Sequence, residues 1–216
     1  MEVKRDFIFD PSLALYLPLY ELDGASFMSK DAHGHLCTVT GALWRHNGRW
    51  FDGNDDAINL GNPTVLNLSS AWTYQAWFKC ADTSGGNAGI LSKDDAVKRD
   101  FFVILLTTGV IRFTHHISNA GNYVDTTLTY DDDSWHFGTF INDGTDLIID
   151  VDGTTVIGAG KGGATDNDGA NFYVGSWRPG TGEAINGMIG EALGYSCALT
   201  PLEIQHNYEA TKWRYR

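Results

Sequence analysis

Along most of the chain, apolar and polar positions alternate in short runs broken by Gly, Asn and Asp. Such runs occupy 13–19, 57–60, 74–80, 88–92, 101–106, 110–114, 122–130, 135–141, 146–151, 154–157, 172–176 and 188–196. A period of two places alternate side chains on opposite faces of a strand, so each run predicts a strand with one face buried. Thr107-Thr-Gly109 and Asp152-Gly153 read as hairpin connections between neighbouring runs. Short strands at even spacing, with almost no helical period, predict an all-β sandwich. No linker or shift of composition divides them, so 1–216 reads as a single domain with short extensions at both ends.

One segment departs from this pattern. Thr200-Pro-Leu-Glu203 has a capping Thr, Pro at the first helical position and Glu where its side chain reaches back to the cap. It predicts a short helix over 201–208, docked on a sheet through Leu202 or Ile204.

Composition adds to this picture at three points. The Gly count of 25, with 7 Trp, 9 Tyr and 11 Phe, suits strands filled with bulky rings and joined by tight turns. A net charge of -12 opposes a phosphate backbone and argues against a nucleic-acid partner, while leaving a cation, a neutral glycan or a basic protein surface open. Cys37, Cys80 and Cys197 form no C-x-x-C pair, so zinc and thioredoxin-type chemistry have no support, and buried thiols are the simplest reading. The segment 13–20 is far too short to insert in a membrane. The first residues lack the apolar core of a secretory signal, which suits a cytoplasmic chain, a mature one, or a virion part that reaches the outside without a cleaved signal.

Read in order, several segments resemble the laminin-G-like and pentraxin-like group of concanavalin A-like domains. They are Leu15-Tyr-Leu-Pro-Leu19, Lys30-Asp-Ala-His-Gly-His35, Phe51-Asp-Gly-Asn-Asp-Asp-Ala-Ile58 and Trp72-Thr-Tyr-Gln-Ala-Trp77. Ile90-Leu-Ser-Lys93, Ser134-Trp-His136, Asp150-Val-Asp-Gly153, Gly187-Met-Ile-Gly-Glu191 and Leu199-Thr-Pro-Leu-Glu-Ile204 follow. The resemblance implies a concanavalin A-like jelly-roll sandwich of two antiparallel sheets with a short C-terminal helix. It also implies a structural calcium held by Asp31, backbone oxygens near His33 and Gly34, and Glu191. Against that stand two departures: Gly190 where the family usually carries Asp, and His33 and His35 in place of small polar residues. Asp31 reads equally as an Asx-turn and Glu191 as a solvated side chain.

Catalysis finds little support. Laminarinases of this superfamily need E-x-D-x-x-E on one strand, whereas 190–195 carries a single carboxylate, Glu191. His115 and His116 fall on opposite faces of their strand and cannot act as a pair. A pentraxin-like double-calcium site would use Asp100, yet the acidic and amide cluster expected with it is replaced by Ser176-Trp-Arg178. The runs 131–133 and 166–168 read as turn formers.

Glycan recognition is the remaining chemistry. Trp177 and Arg178 lie in a Gly-rich loop after a strand, and Asn119, Asn122 and Tyr123 are polar and aromatic partners in a second loop. The leading expectation is a non-catalytic module that binds carbohydrate or a glycosylated surface, at a cell exterior or virion surface. The alternative is a structural subunit of a virion decoration, fibre or surface filament, forming a homo-oligomer through its loops and the aromatic, basic tail 210–216.

Overall fold

Strand β10 (Val110–Ile117) shows how the alternation becomes structure. Ile111 and Phe113 enter the core, while Arg112, Thr114 and His116 line a groove on the other face. The computed structural model describes residues 10–215 and contains two eight-stranded antiparallel sheets.

The first sheet contains β1 (Leu13–Pro18), β4 (Leu43–Arg45), β5 (Gly48–Asp52), β7 (Trp72–Cys80), β12 (His136–Asn142), β13 (Leu147–Val151), β14 (Thr154–Gly158) and β16 (Asn186–Tyr195). Its order is β14-β13-β12-β7-β16-β5-β4, with β1 also paired to β16. The second sheet contains β2 (Ser26–Met28), β3 (Leu36–Thr40), β6 (Ala57–Asn59), β8 (Ala88–Asp94), β9 (Arg99–Leu105), β10, β11 (Ala120–Thr129) and β15 (Tyr173–Val174). Its order is β11-β10-β9-β8-β15-β6-β3-β2. Between the sheets Trp72, Tyr74, Phe101 and Phe172 form a cluster of rings 4.9–5.8 Å apart, continuous with Leu15, Phe78, Phe113 and Phe140.

All the runs read as strands appear as such. The pattern missed β2 to β5, because these short segments sit at sheet margins where polarity and exposure do not follow each other. In β3 the apolar Leu36 is exposed while Cys37 is buried, and all of β4 is exposed. The Asp152-Gly153 turn joins β13 to β14 as expected, with Asp152 at φ 52°.

Helix α1 (Pro201–Thr211) begins with the predicted capping box and runs a turn longer than predicted. Ile204 makes the docking contact; Leu202 is 83 % exposed and does not. The helix lies on the outer face of the first sheet and is fastened there by polar bonds as well as apolar ones. Asn207 donates to Gln75 (2.8 Å) and to the Tyr195 hydroxyl (2.9 Å), and the Trp77 indole donates to Thr211 (2.8 Å). The tail folds back onto the same face, with the Tyr215 ring 4.6 Å from Trp77 and 4.8 Å from Trp135. It therefore belongs to the sandwich rather than extending from it. Gly190 is explained by this tail, since a Cβ there would collide with the Tyr215 ring. The three cysteines are free thiols; Cys37 and Cys80 are buried, and Cys197 lies just beyond β16 rather than within a strand. No described helix is long and apolar enough to cross a membrane.

Candidate functional site

The outer face of the second sheet carries the groove. Trp177 is brought to it by the backbone crossing β8, where Gly89 leaves room that a Cβ would take from Ser176 and Trp177. The loop is fixed on both sides: Gly89 and Trp177 donate their N–H groups to the Glu183 carbonyl (both 3.0 Å), and the Ser92 hydroxyl lies within 3.0 Å of the Ser176 and Trp177 carbonyls. The Trp177 ring then packs 4.6 Å from Phe102, with the Arg178 guanidinium 4.1 Å above it. Trp177 is therefore half-buried, not the freely exposed ring that its loop position suggests. Arg178 is held by two bonds to Asp94, whose carboxylate is completely buried.

The opposite wall comes from β10 and β11. Thr114 pairs with Tyr123 and His116 with Gly121, so these residues share one face. Arg112 bonds Asp125 through two nitrogens, each 2.8 Å from an oxygen, and covers the Tyr123 ring at 4.1 Å. The β10–β11 turn is anchored by Asp166, which accepts the N–H groups of Ser118 (2.8 Å) and Asn119 (2.7 Å). Between the walls is a cavity of about 320 Å³ whose lining includes Arg99, Phe102, His116, Asn119, Tyr123 and Trp177.

Of the four residues read as ligand-binding, the structure brings together Trp177, Arg178 and Tyr123. Asn122 does not join them. It pairs with His115, one step out of phase with Tyr123, and its amide reaches only the Ala120 carbonyl at 3.5 Å. His115 faces away from the groove too, bonding Thr165 and the Lys161 carbonyl.

The polar atoms left unpaired beneath this groove were not foreseeable from residue pattern. Among the described residues, Thr114 Oγ1, both ring nitrogens of His116 and Trp177 Nε1 are buried without hydrogen-bond partners. Each such atom costs about 1–3 kcal/mol unless something satisfies it. Burial lowers the His116 pKa from its ordinary value, against the pull of Asp94, so the ring is neutral at pH 7. A strand position facing outward yet 4 % exposed is not visible in a period-two pattern.

The residues expected to hold calcium fit a hydrogen-bonded turn better than a cation. Asp31 accepts N–H bonds from Tyr16 (3.0 Å), His33 (2.9 Å) and Gly34 (3.1 Å). Burial alone would raise its pKa, but the Ser29 hydroxyl and the backbone donors outweigh that and hold it below the usual range. A carboxylate has about four acceptor sites, and these four donors fill them. Glu191 is not solvated but fully buried beneath the tail, among Tyr16, Tyr20, Thr211, Arg214 and Tyr215. Burial raises its pKa to about 7, with Arg214 acting in the opposite direction. Among the described residues, Asp52, Asp55 and Asp56 form a group of three acidic side chains close enough to share an ion, in a turn that includes neither Asp31 nor Glu191. Asp100 is used elsewhere, in a buried ion pair with Lys93 at 2.9 Å.

A larger cavity of about 510 Å³ lies on the other side of the molecule, between α1 and β12–β14, with Phe137, Ile148, Ile157 and Tyr208 in its walls. Its acidic rim is already engaged. Asp152 accepts from His136 (2.7 Å) and from the Phe137 N–H (2.9 Å), and Asp150 from the Thr155 hydroxyl (2.6 Å). Unpaired buried groups distinguish the smaller groove.

Two stacked antiparallel sheets, one faced by a helix and the other grooved, define a lectin-like β-sandwich. The chain belongs to the concanavalin A-like lectin/glucanases superfamily, whose laminin G-like family model matches residues 52–205. No curated protein sequence matches the chain. Among solved structures it is similar to the binding domain of Paraclostridial Mosquitocidal Protein 1, with TM-score 0.72 and 13% identity over 92% of this chain and 52% of that one. The binding domain of botulinum neurotoxin DC in complex with SialylT has TM-score 0.69 and 13% identity, over 93% of this chain and 52% of that one. Trypanosoma rangeli sialidase in complex with sialic acid has TM-score 0.72 and 13% identity, over 96% of this chain and 34% of that one. The chain thus spans about half of each toxin domain and a third of the sialidase. At this identity the likeness is one of fold.

Proposed function

We propose that the chain is a non-catalytic recognition module that binds carbohydrate, or a glycosylated surface, in the groove between the Trp177 loop and the β10–β11 wall. The observation that carries this reading is the convergence of Trp177, Arg178 and Tyr123 over four buried, unpaired polar atoms. Rings beside hydrogen-bonding groups suit a sugar, which presents an apolar face and a rim of hydroxyls. Two structural neighbours point the same way, one in complex with SialylT and one with sialic acid.

Hydrolysis of a glycosidic bond needs two carboxyl groups free to act as acid and as base or nucleophile. Asp94 and Asp125, the carboxylates at this groove, are each tied to an arginine through two bonds, which favours binding without turnover. A location where glycans are displayed, outside a cell or on a virion, is part of this reading. The tail supports no contact between subunits through Tyr215, which is spent on the chain's own sandwich.

A glycan array read with the intact chain and with Tyr123→Ala and Trp177→Ala tests the proposal. Tyr123 is 45 % exposed, so its variant folds even where the half-buried Trp177 variant does not. Binding by the parent that falls at least tenfold in Tyr123→Ala is the expected result. An array without signal, or binding indifferent to both substitutions, contradicts it.

A further inference from the structure

We infer that the groove selects an anionic saccharide, one whose charge is a carboxylate, and that Arg99 is the residue that reads that charge. This rests on the carbohydrate reading above and adds the class of sugar.

Three arginines line the groove, and they are not equivalent. Arg112 is neutralised by Asp125 and Arg178 by Asp94. Arg99 has no acidic partner: its Nε donates to the Ala96 carbonyl at 3.1 Å, and its two terminal nitrogens donate to no group of the described protein. It lies across the β8–β9 pair from Asp94, whose oxygens are already taken by Arg178 and the Ala96 N–H. Among the described residues that line the groove, the one charge without a counter-charge is therefore positive.

The uncommitted hydrogen-bonding atoms have the same bias. Trp177 Nε1 can only donate. Thr114 and neutral His116 each offer a proton and an acceptor, so the surplus of donors comes from Trp177 Nε1 and the unengaged Arg99 terminal nitrogens. The strong acceptors at the site, Asp94 and Asp125, are each engaged by an arginine. A groove with donors to spare and few acceptors favours a ligand with acceptors to spare. A sugar hydroxyl brings one donor with each oxygen, whereas a carboxylate brings two oxygens and none, in a plane that a guanidinium fork matches. The remainder of the chain is acidic, with a net charge of -12, so the attraction is local and depends on this one side chain.

The test is titration of the intact chain with matched pairs: 3′-sialyllactose against lactose, and trigalacturonate against its carboxyl-reduced neutral form, with 3′-sulfolactose as a third arm. The carboxylated member of each pair is expected to bind at least tenfold tighter than its neutral partner. Arg99→Gln should bring it to the neutral level, and Arg99→Lys should restore part of the difference. Thermal melts check that the variants are folded, since the Arg99 substitutions remove only the bond to Ala96. Neutral and carboxylated sugars binding equally in the groove overturn this inference and leave the carbohydrate reading standing, as does a preference that survives Arg99→Gln. Sulfolactose binding as tightly as sialyllactose overturns the assignment to a carboxylate. No binding by any sugar removes both readings.

Discussion

The two outer faces of the sandwich handle the same physical problem in opposite ways. On the first sheet, Glu191 is buried with neither carboxyl oxygen hydrogen-bonded; the neighbouring Thr211 hydroxyl gives its proton to Asn207 instead. On the second, Thr114, His116 and Trp177 hold unpaired polar atoms just as deeply. The first site is closed by the chain itself, with α1 and the tail laid over it and Tyr215 seated on Trp77. The second is roofed only by long side chains, Arg112 and Arg178, and opens into a groove. Unsatisfied buried groups alone therefore do not indicate a ligand. On the second face a cavity of about 320 Å³ lies beside them, and that is what supports the proposed binding site there.

Paired substitutions separate the two faces. Tyr215→Ala removes a large ring from a packed site and bares Glu191, and should destabilise the fold by about 3–5 kcal/mol, measured by denaturant unfolding. If the tail were peripheral, the loss would be small and the two faces alike.

The pH dependence of the closed site comes next. Glu191 has an ordinary pKa of 4.5 and is raised to about 7 in the fold, so the folded chain holds this proton more tightly than the unfolded one. Its contribution to stability is full below pH 4.5 and is lost as pH rises through 7, a decline of about 3 kcal/mol. Glu191→Gln keeps a neutral side chain and should flatten that decline in melts recorded from pH 5 to 8. An unchanged slope would mean that Arg214 already neutralises the carboxylate.

Tyr123→Ala, on the open face, should cost less than about 1 kcal/mol in unfolding while abolishing binding, the reverse of Tyr215→Ala. Smallest of all is the effect of chelation. Asp31 has its acceptor sites filled by N–H and O–H donors, so EDTA should leave the melting temperature unchanged within about 1 °C, whereas a clear drop would mean that calcium displaces those donors.

Much of the fold was legible in the sequence because burial and alternation coincide in the central strands. In β13 the pattern Leu147, Ile149, Val151 inward is written directly in residue type. The margins were not legible, since Leu36 and Leu43 are apolar yet exposed. At the candidate site, Trp177 and Arg178 could be found as a loop aromatic with a polar neighbour, Tyr123 lies in β11 rather than in the loop expected for it, and Asn122 was lost to a shift of one residue in strand phase. Glu191 was placed on the right strand but in the wrong surroundings, because what buries it is a tail that follows some twenty residues later in the chain. Arg99 and His116 carried no signal of their own. Their significance comes from partners they lack, which only the folded arrangement displays.

The most direct measurement is of the unpaired indole. In a ¹⁵N–¹H correlation spectrum of the intact chain, which has 7 Trp, titration with 3′-sialyllactose is predicted to move the Trp177 Nε1–H resonance downfield as it gains an acceptor. Those of Trp72 and Trp77, already bonded to Thr165 and Thr211, should stay in place. A Trp177 resonance that stays fixed while the sugar binds would show that the ligand lies elsewhere on the sandwich, and would contradict the account.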